Sequence, residues 1–175
     1  IVYIVMEYLS GSTLKDVIRK EGPMSLERVT EILRQVGSAL EAAHEQGVVH
    51  RDLKSENIML LGTTGPDYAK VLDFGIAKLA AEERVTRPGA AFGTIEYMSP
   101  EQALGERVDH RTDIWAVGVL LYEMLSGRLP FRGDDARATF AAILNREPDP
   151  LLVQFNISAA LEAIIKKALS KDPGA

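Results

Sequence analysis

Two short polar stretches constrain this 175-residue chain more than any other feature: His50-Arg51-Asp52-Leu53-Lys54-Ser55-Glu56-Asn57 and, beyond it, Asp73-Phe74-Gly75. The first sets a lysine two residues past a carboxylate and an asparagine five residues past it; the second sets another carboxylate before a glycine. The set suits phosphoryl transfer to a hydroxyl. One carboxylate orients the attacking oxygen, a cation meets the charge on the transferring group, and two oxygen ligands hold Mg²⁺. Either stretch alone could arise by chance. Both in this order, with Ser99-Pro100-Glu101 behind them, make chance a poor explanation.

Composition narrows the alternatives. One domain of this length buries roughly 70% of its unfolded surface. The net charge of −5 argues against a nucleic-acid footprint, which needs clustered Lys and Arg. No cysteine is present, which excludes disulfides and thiolate metal sites and fits a reducing, cytoplasmic setting for this domain. The three histidines are scattered at 44, 50 and 110, so carboxylates holding a hard cation are the better expectation than zinc. The apolar run 114–121 is bounded by Asp113 and Glu123 and is far short of the ~20 residues of a membrane span. No membrane contact by this segment is expected, although a parent protein with an anchor elsewhere is compatible with a chain that lacks an initiator Met.

The periodicities predict mostly helix. Residues 1–6 are β-branched and apolar, which reads as a buried strand broken at 7–11. Leu14, Val17 and Ile18 mark a helix ended by Gly22-Pro23. Ser25 is an N-cap lacking its capping-box Glu, and Leu26, Val29, Ile32, Leu33, Val36, Leu40 and Ala43 trace a long amphipathic helix to Gly47. Two short strands are expected at 57–61 and 69–72, around a turn at 62–67. Residues 75–108 read as irregular, a length of loop that is usually functional. The stretch 113–125 reads as a helix buried all round and ended by Gly127, with shorter helices at 135–145 and 158–169. The fold class is α+β and mainly helical.

The two stretches, their order and Gly93-Thr94-Ile95-Glu96-Tyr97-Met98-Ser99-Pro100-Glu101 resemble the C-terminal lobe of a eukaryotic-like protein kinase domain. The nearest likeness is to bacterial serine/threonine kinases, carried by Ser99-Pro100-Glu101-Gln102 and Asp113-Ile114-Trp115-Ala116-Val117-Gly118. The resemblance covers nearly the whole chain and implies a hinge strand at 1–9 and a C-terminal lobe at 10–175, with most of an N-terminal lobe missing. It implies ATP and Mg²⁺ as cofactors and a protein with a Ser or Thr acceptor as substrate; Lys54-Ser55-Glu56-Asn57 favours Ser/Thr over Tyr.

By the same resemblance Asp52 is the catalytic base and Lys54 bridges the acceptor oxygen and the γ-phosphate. Asn57 and Asp73 are the Mg²⁺ ligands. Met6 is the gatekeeper, Glu7 and Leu9 lend backbone groups to adenine, and Met59 forms the floor beneath it. Met6 and Met59 are equally suited to plain core packing. His50 packs inward and orients the loop. Arg51 beside Asp52 marks control by phosphorylation of the following loop, where Thr86 lies between Arg84 and Arg87. Thr94 would hydrogen-bond Asp52 and Lys54. Asp113 would accept hydrogen bonds from the catalytic-loop backbone, or else serve as a simple N-cap. Trp115 reads as core.

No Gly-x-Gly-x-x-Gly loop is present in the chain, and neither a phosphate-holding strand lysine nor its helix glutamate partner is expected within it. Glu101 is expected to lack the arginine that pairs with it in the family, a costly arrangement if it is buried. The chain therefore reads as part of a kinase domain, inactive alone. A pseudokinase-like binding module and a small-molecule phosphotransferase are the alternatives.

Overall fold

The computed structural model describes residues 7–62, 67–74, 95–152, 155 and 157–174. The strand expected at 1–6 lies outside them. The described residues form nine regular elements: β1 (Gly11–Thr13), α1 (Leu14–Glu21), α2 (Leu26–Glu45), β2 (Ile58–Leu61), β3 (Tyr68–Val71), α3 (Pro100–Leu104), α4 (Arg111–Ser126), α5 (Ala136–Asn145) and α6 (Ala159–Ala168). Single 3-10 turns stand at Ser55–Asn57 and Ile95–Tyr97. The class is α+β with the helices dominant.

Helix ends follow their capping chemistry. The Thr13 hydroxyl accepts from Asp16 N at the start of α1, and Ser25 does the same for Arg28 N at the start of α2. Gly22 and Gly127 close α1 and α4 at φ 79° and 71°, where a Cβ would be strained. The buried stripe of α2 is Val29, Ile32, Val36 and Leu40. Leu26, read as part of that stripe, is instead 50% exposed, because it sits in the first turn, before the helix settles onto its neighbour.

The three strands form an antiparallel sheet in the order β1-β2-β3, with Gly11 opposite Leu61 and Ile58 opposite Val71. β1 was not expected: Gly-Ser-Thr has weak strand character, and it pairs because apolar β2 presents an open edge. At Gly11 a Cβ would run into the Leu60 carbonyl, so only glycine allows that approach. Along β2, Ile58 and Leu60 are buried while Met59 and Leu61 face the other side. Helix α2 anchors the sheet through Gln35, whose Oε1 accepts from Ala69 N (2.8 Å) and whose Nε2 donates to Asp67 O (2.9 Å). Arg28 adds a fork onto Asp67 at 2.6 and 3.1 Å.

Helix α4 is the centre of the core. Trp115, Val119, Leu120, Tyr122 and Met124 are all buried along it, and α2 and α6 pack on its flanks. It is not buried all round, since Ile114 is 49% exposed. Helix α3 interrupts the stretch expected to be irregular. Its signals were local: a capping box in which Ser99 Oγ accepts from Gln102 N and Gln102 Oε1 accepts from Ser99 N, proline at the first position, and Gly105 in the left-handed region at the end. Five residues are too few for hydrophobic periodicity to reveal a helix.

Candidate active site

The loop 50–57 joins α2 to β2, and a buried carboxylate on α4 fixes its shape. Asp113 is 1% exposed and sits in the first turn of that helix, whose N-cap is His110. Its Oδ2 accepts from His50 N and its Oδ1 from Arg51 N, each at 2.9 Å. Asp113 is thus a clamp on the loop and not an N-cap. The clamp holds Arg51 at φ 68°, a left-handed conformation that a non-glycine residue adopts only when its surroundings impose it. The Arg51 carbonyl accepts from Gln102 Nε2 at 2.7 Å.

His50 is fully buried and ties this loop to the next site segment. Its Nε2 donates to Leu72 O at 2.8 Å and its Nδ1 accepts from Asp52 N at 3.3 Å. Those two partners demand the tautomer with the proton on Nε2. The ring meets the edge of Phe74 at 4.8 Å between centroids. His50 therefore points inward and braces the loop.

Asp52 is exposed and Lys54 is folded over it, with Nζ 3.0 Å from Oδ2 and 3.2 Å from Oδ1. Asn57 Nδ2 donates to the Asp52 carbonyl at 2.8 Å. That bond commits the amide nitrogen and leaves Oδ1 as the atom able to ligate a cation. Leu72 N donates to Asn57 O at 2.8 Å, continuing the β2-β3 ladder by one step and bringing Asn57 beside the residue that precedes Asp73. Asp73 is exposed, with φ 61°. An amide oxygen and a carboxylate are hard donors suited to Mg²⁺, which keeps several waters and takes few protein ligands. Among the described residues no cluster of three or more His, Cys, Asp or Glu side chains could hold a metal.

Of the residues expected around adenine, Met6 lies outside the described residues. Glu7 is exposed and ion-paired with Lys70 Nζ on β3, and Leu9 is half-buried just before β1. Met59 stands between Thr13 and Lys70 on the sheet face turned away from Ile58 and Leu60. Thr86 and Thr94 also lie outside the described residues. Glu101 is half-buried and shares a cavity of about 350 Å³ with Arg111, Trp115 and Lys167. The condition that would make a lone carboxylate costly, deep burial, is therefore not met, and the Arg111 guanidinium, held first by Asp109, is also stabilised by the field of Glu101.

A second layer escaped the sequence reading. His44 Nε2 donates to Asp113 Oδ2 at 2.7 Å. The Tyr97 hydroxyl bonds the Glu123 carboxylate and lies 2.8 Å from Ser55 Oγ, all three buried. Burial pushes the Tyr97 hydroxyl and the Glu123 carboxyl upward from their ordinary values. Lys15 on α1 meets Glu56 at 2.6 Å. Ser99 Oγ lies 2.6 Å from Thr112 Oγ1, fastening α3 to α4. In the sequence, a polar residue on an otherwise apolar helix, such as Glu123 on α4, is the signal for such pairs.

The protein kinase domain profile matches residues 1–175. The chain is 47% identical over 180 residues to serine/threonine-protein kinase pkn3 of Myxococcus xanthus, covering 98% of this chain and 33% of that protein. It is 42% identical over 174 residues to PknB of Mycobacterium tuberculosis, covering 98% of this chain and 27% of that protein. Among solved structures, Rad53 1-466 in complex with AMP-PNP superposes with a TM-score of 0.80 at 30% identity, over 97% of this chain and 42% of that one. The chain thus spans a third or less of the length of these curated relatives. With a whole-length family match and close bacterial relatives, this chain belongs to the protein kinase domain family, as a bacterial-type serine/threonine member.

Proposed function

We propose that the protein containing this chain transfers the γ-phosphate of ATP to serine or threonine hydroxyls of protein substrates. The observation that carries this reading is the joined geometry of Asp52, Lys54 and Asn57, with Lys54 Nζ 3.0 Å from the Asp52 carboxylate and Asn57 tied to the Asp52 carbonyl. Bound ATP would supply the phosphoryl group, and Mg²⁺ would neutralise its charge. Asp52 accepts the proton of the acceptor hydroxyl and aims its oxygen. Lys54, already beside that carboxylate, meets the charge that develops on the transferring group. Asn57 and Asp73 are the residues that would hold the cation, and Glu7, Leu9, Met6 and Met59 the ones that would receive adenine. In this reading residues 1–9 are the hinge and 10–175 the C-terminal lobe. Phosphorylation of Thr86, answered by Arg51, and hydrogen bonding of Thr94 to Asp52 and Lys54 belong to the same reading.

Two substitutions in the full-length protein test it. Asp52→Asn should leave Mg-ATP binding intact while lowering kcat by ~10²–10⁴, the range for a lost general base. Asp73→Asn should weaken Mg-ATP binding as well as abolish transfer. Turnover surviving both changes would refute the assignment. Among the described residues no helix is long and apolar enough to cross a membrane.

A further inference from the structure

We infer that Gln102 is a positioning residue for the catalytic loop, linking the acceptor-docking segment to the strained peptide that carries Asp52. The inference rests on the kinase reading above. Its basis is that the two ends of the Gln102 amide do different jobs. Oε1 accepts from Ser99 N at 3.0 Å, which completes the capping box of α3. Nε2 crosses to the Arg51 carbonyl at 2.7 Å, a contact spanning 51 positions of sequence.

Arg51 is where such a contact matters most. At φ 68° its backbone is in the left-handed region, which is unfavourable for a residue bearing a Cβ. Asp113 secures the N–H on one side of this residue. The carbonyl on the other side belongs to the peptide bond joining Arg51 to Asp52, and Gln102 is the side chain that holds it. Rotation of that peptide would swing the Asp52 carboxylate. A capping amide alone would not reach across to another segment, and a surface glutamine would not be half-buried between two loops. Ser99, whose hydroxyl also meets Thr112 next to Asp113, ties the same cap to the helix that clamps the N–H. Movement of the 95–102 segment on meeting an acceptor protein is therefore transmitted to Asp52 through Gln102.

The two jobs separate by substitution in the full-length protein. Gln102→Glu keeps an acceptor for Ser99 N, hence the capping box, but has no donor for the Arg51 carbonyl. Gln102→Lys keeps a donor and loses the acceptor. For Gln102→Glu the expected result is a kcat lowered about tenfold or more, within the ~10² that a small misplacement costs. The KM for ATP should stay within about twofold, and amide exchange at Arg51–Leu53 should be faster. Gln102→Lys should retain more of the kcat. A reversed order, wild-type rates in both variants, or equal losses with unchanged exchange at Arg51–Leu53 would each overturn the inference. Asp52→Asn serves as the control. If it transfers phosphate at the wild-type rate, the kinase reading has failed, and the exchange of Arg51–Leu53 in Gln102→Glu still decides the positioning role.

Discussion

Arg51 and Asp73 are the two non-glycine residues with positive φ among the described residues, at 68° and 61°. Both belong to the motifs that carry the chemistry. Such conformations persist where surrounding bonds over-determine them, and Asp113, Gln102 and His50 provide those bonds around Arg51 and Asp52. Glu123 shows the opposite economy: a carboxyl buried beneath the same loop and bonded to Tyr97. Burial raises its pKa above the ordinary 4.5. The folded state then keeps a proton that the unfolded chain has released. Its stabilising contribution is fully present below pH 4.5 and is lost as pH rises through the raised value. Glu123→Gln retains an acceptor for Tyr97 and cannot ionise. Its stability relative to wild type should therefore increase as pH rises above 4.5, read as melting temperature at each pH. Parallel pH profiles for the two proteins would exclude this account.

At the scale of elements, the decisive contact is between α4 and α6. Gly118 faces Ala168, and a Cβ built there would lie 2.8 Å from the Ala168 Cβ and 3.1 Å from the Leu169 side chain. Alanine in place of a helical glycine gains roughly 0.8–1 kcal/mol from propensity. Overpacking a tight contact costs ~1–3 kcal/mol, and a backbone-fixed methyl cannot swing aside. The steric term wins, so Gly118→Ala should be destabilised by ~1 kcal/mol. Ala168→Gly in the same chain should recover most of the loss, because it removes the atom that is struck. A double-mutant cycle by denaturant unfolding measures this coupling. Additive effects of the two changes would show that the helices do not meet there.

Across the molecule the loop 50–57 and the 71–74 segment are joined, by the bond of Leu72 N to Asn57 O and that of His50 Nε2 to Leu72 O. In the proposed function Asp52, Lys54, Asn57 and Asp73 would act only on a phosphate chain held in line with the acceptor, since phosphoryl transfer relies almost wholly on such positioning and charge compensation. No Gly-x-Gly-x-x-Gly cradle occurs within the 175 residues. Loss of a single preorganised donor already costs ~10²–10³ in rate. Residues 1–175 alone are therefore expected to show no measurable transfer to a generic Ser/Thr substrate with Mg-ATP. Turnover of ~1–100 s⁻¹, ordinary for kinases, would contradict this.

Much of this was legible along the chain, because the determinants are local. The stripe of α2, the cap at Ser25 and the stop at Gly127 each act within a turn or two of their own position. The motif 50–57 is likewise local, since the residue types and spacing on which the proposed chemistry rests lie within eight consecutive positions. Other features had no local signal. β1 exists because β2 offers it an edge, and Leu26 is exposed because the helix start overhangs its neighbour. The bonds of His44 to Asp113, Tyr97 to Glu123 and Gln102 to Arg51 join residues 69, 26 and 51 positions apart. Hydrogen bonds of that kind depend on where separate helices and loops pack. The sequence by itself determined which atoms could do the chemistry, and only the tertiary structure decided which buried partners hold them in place.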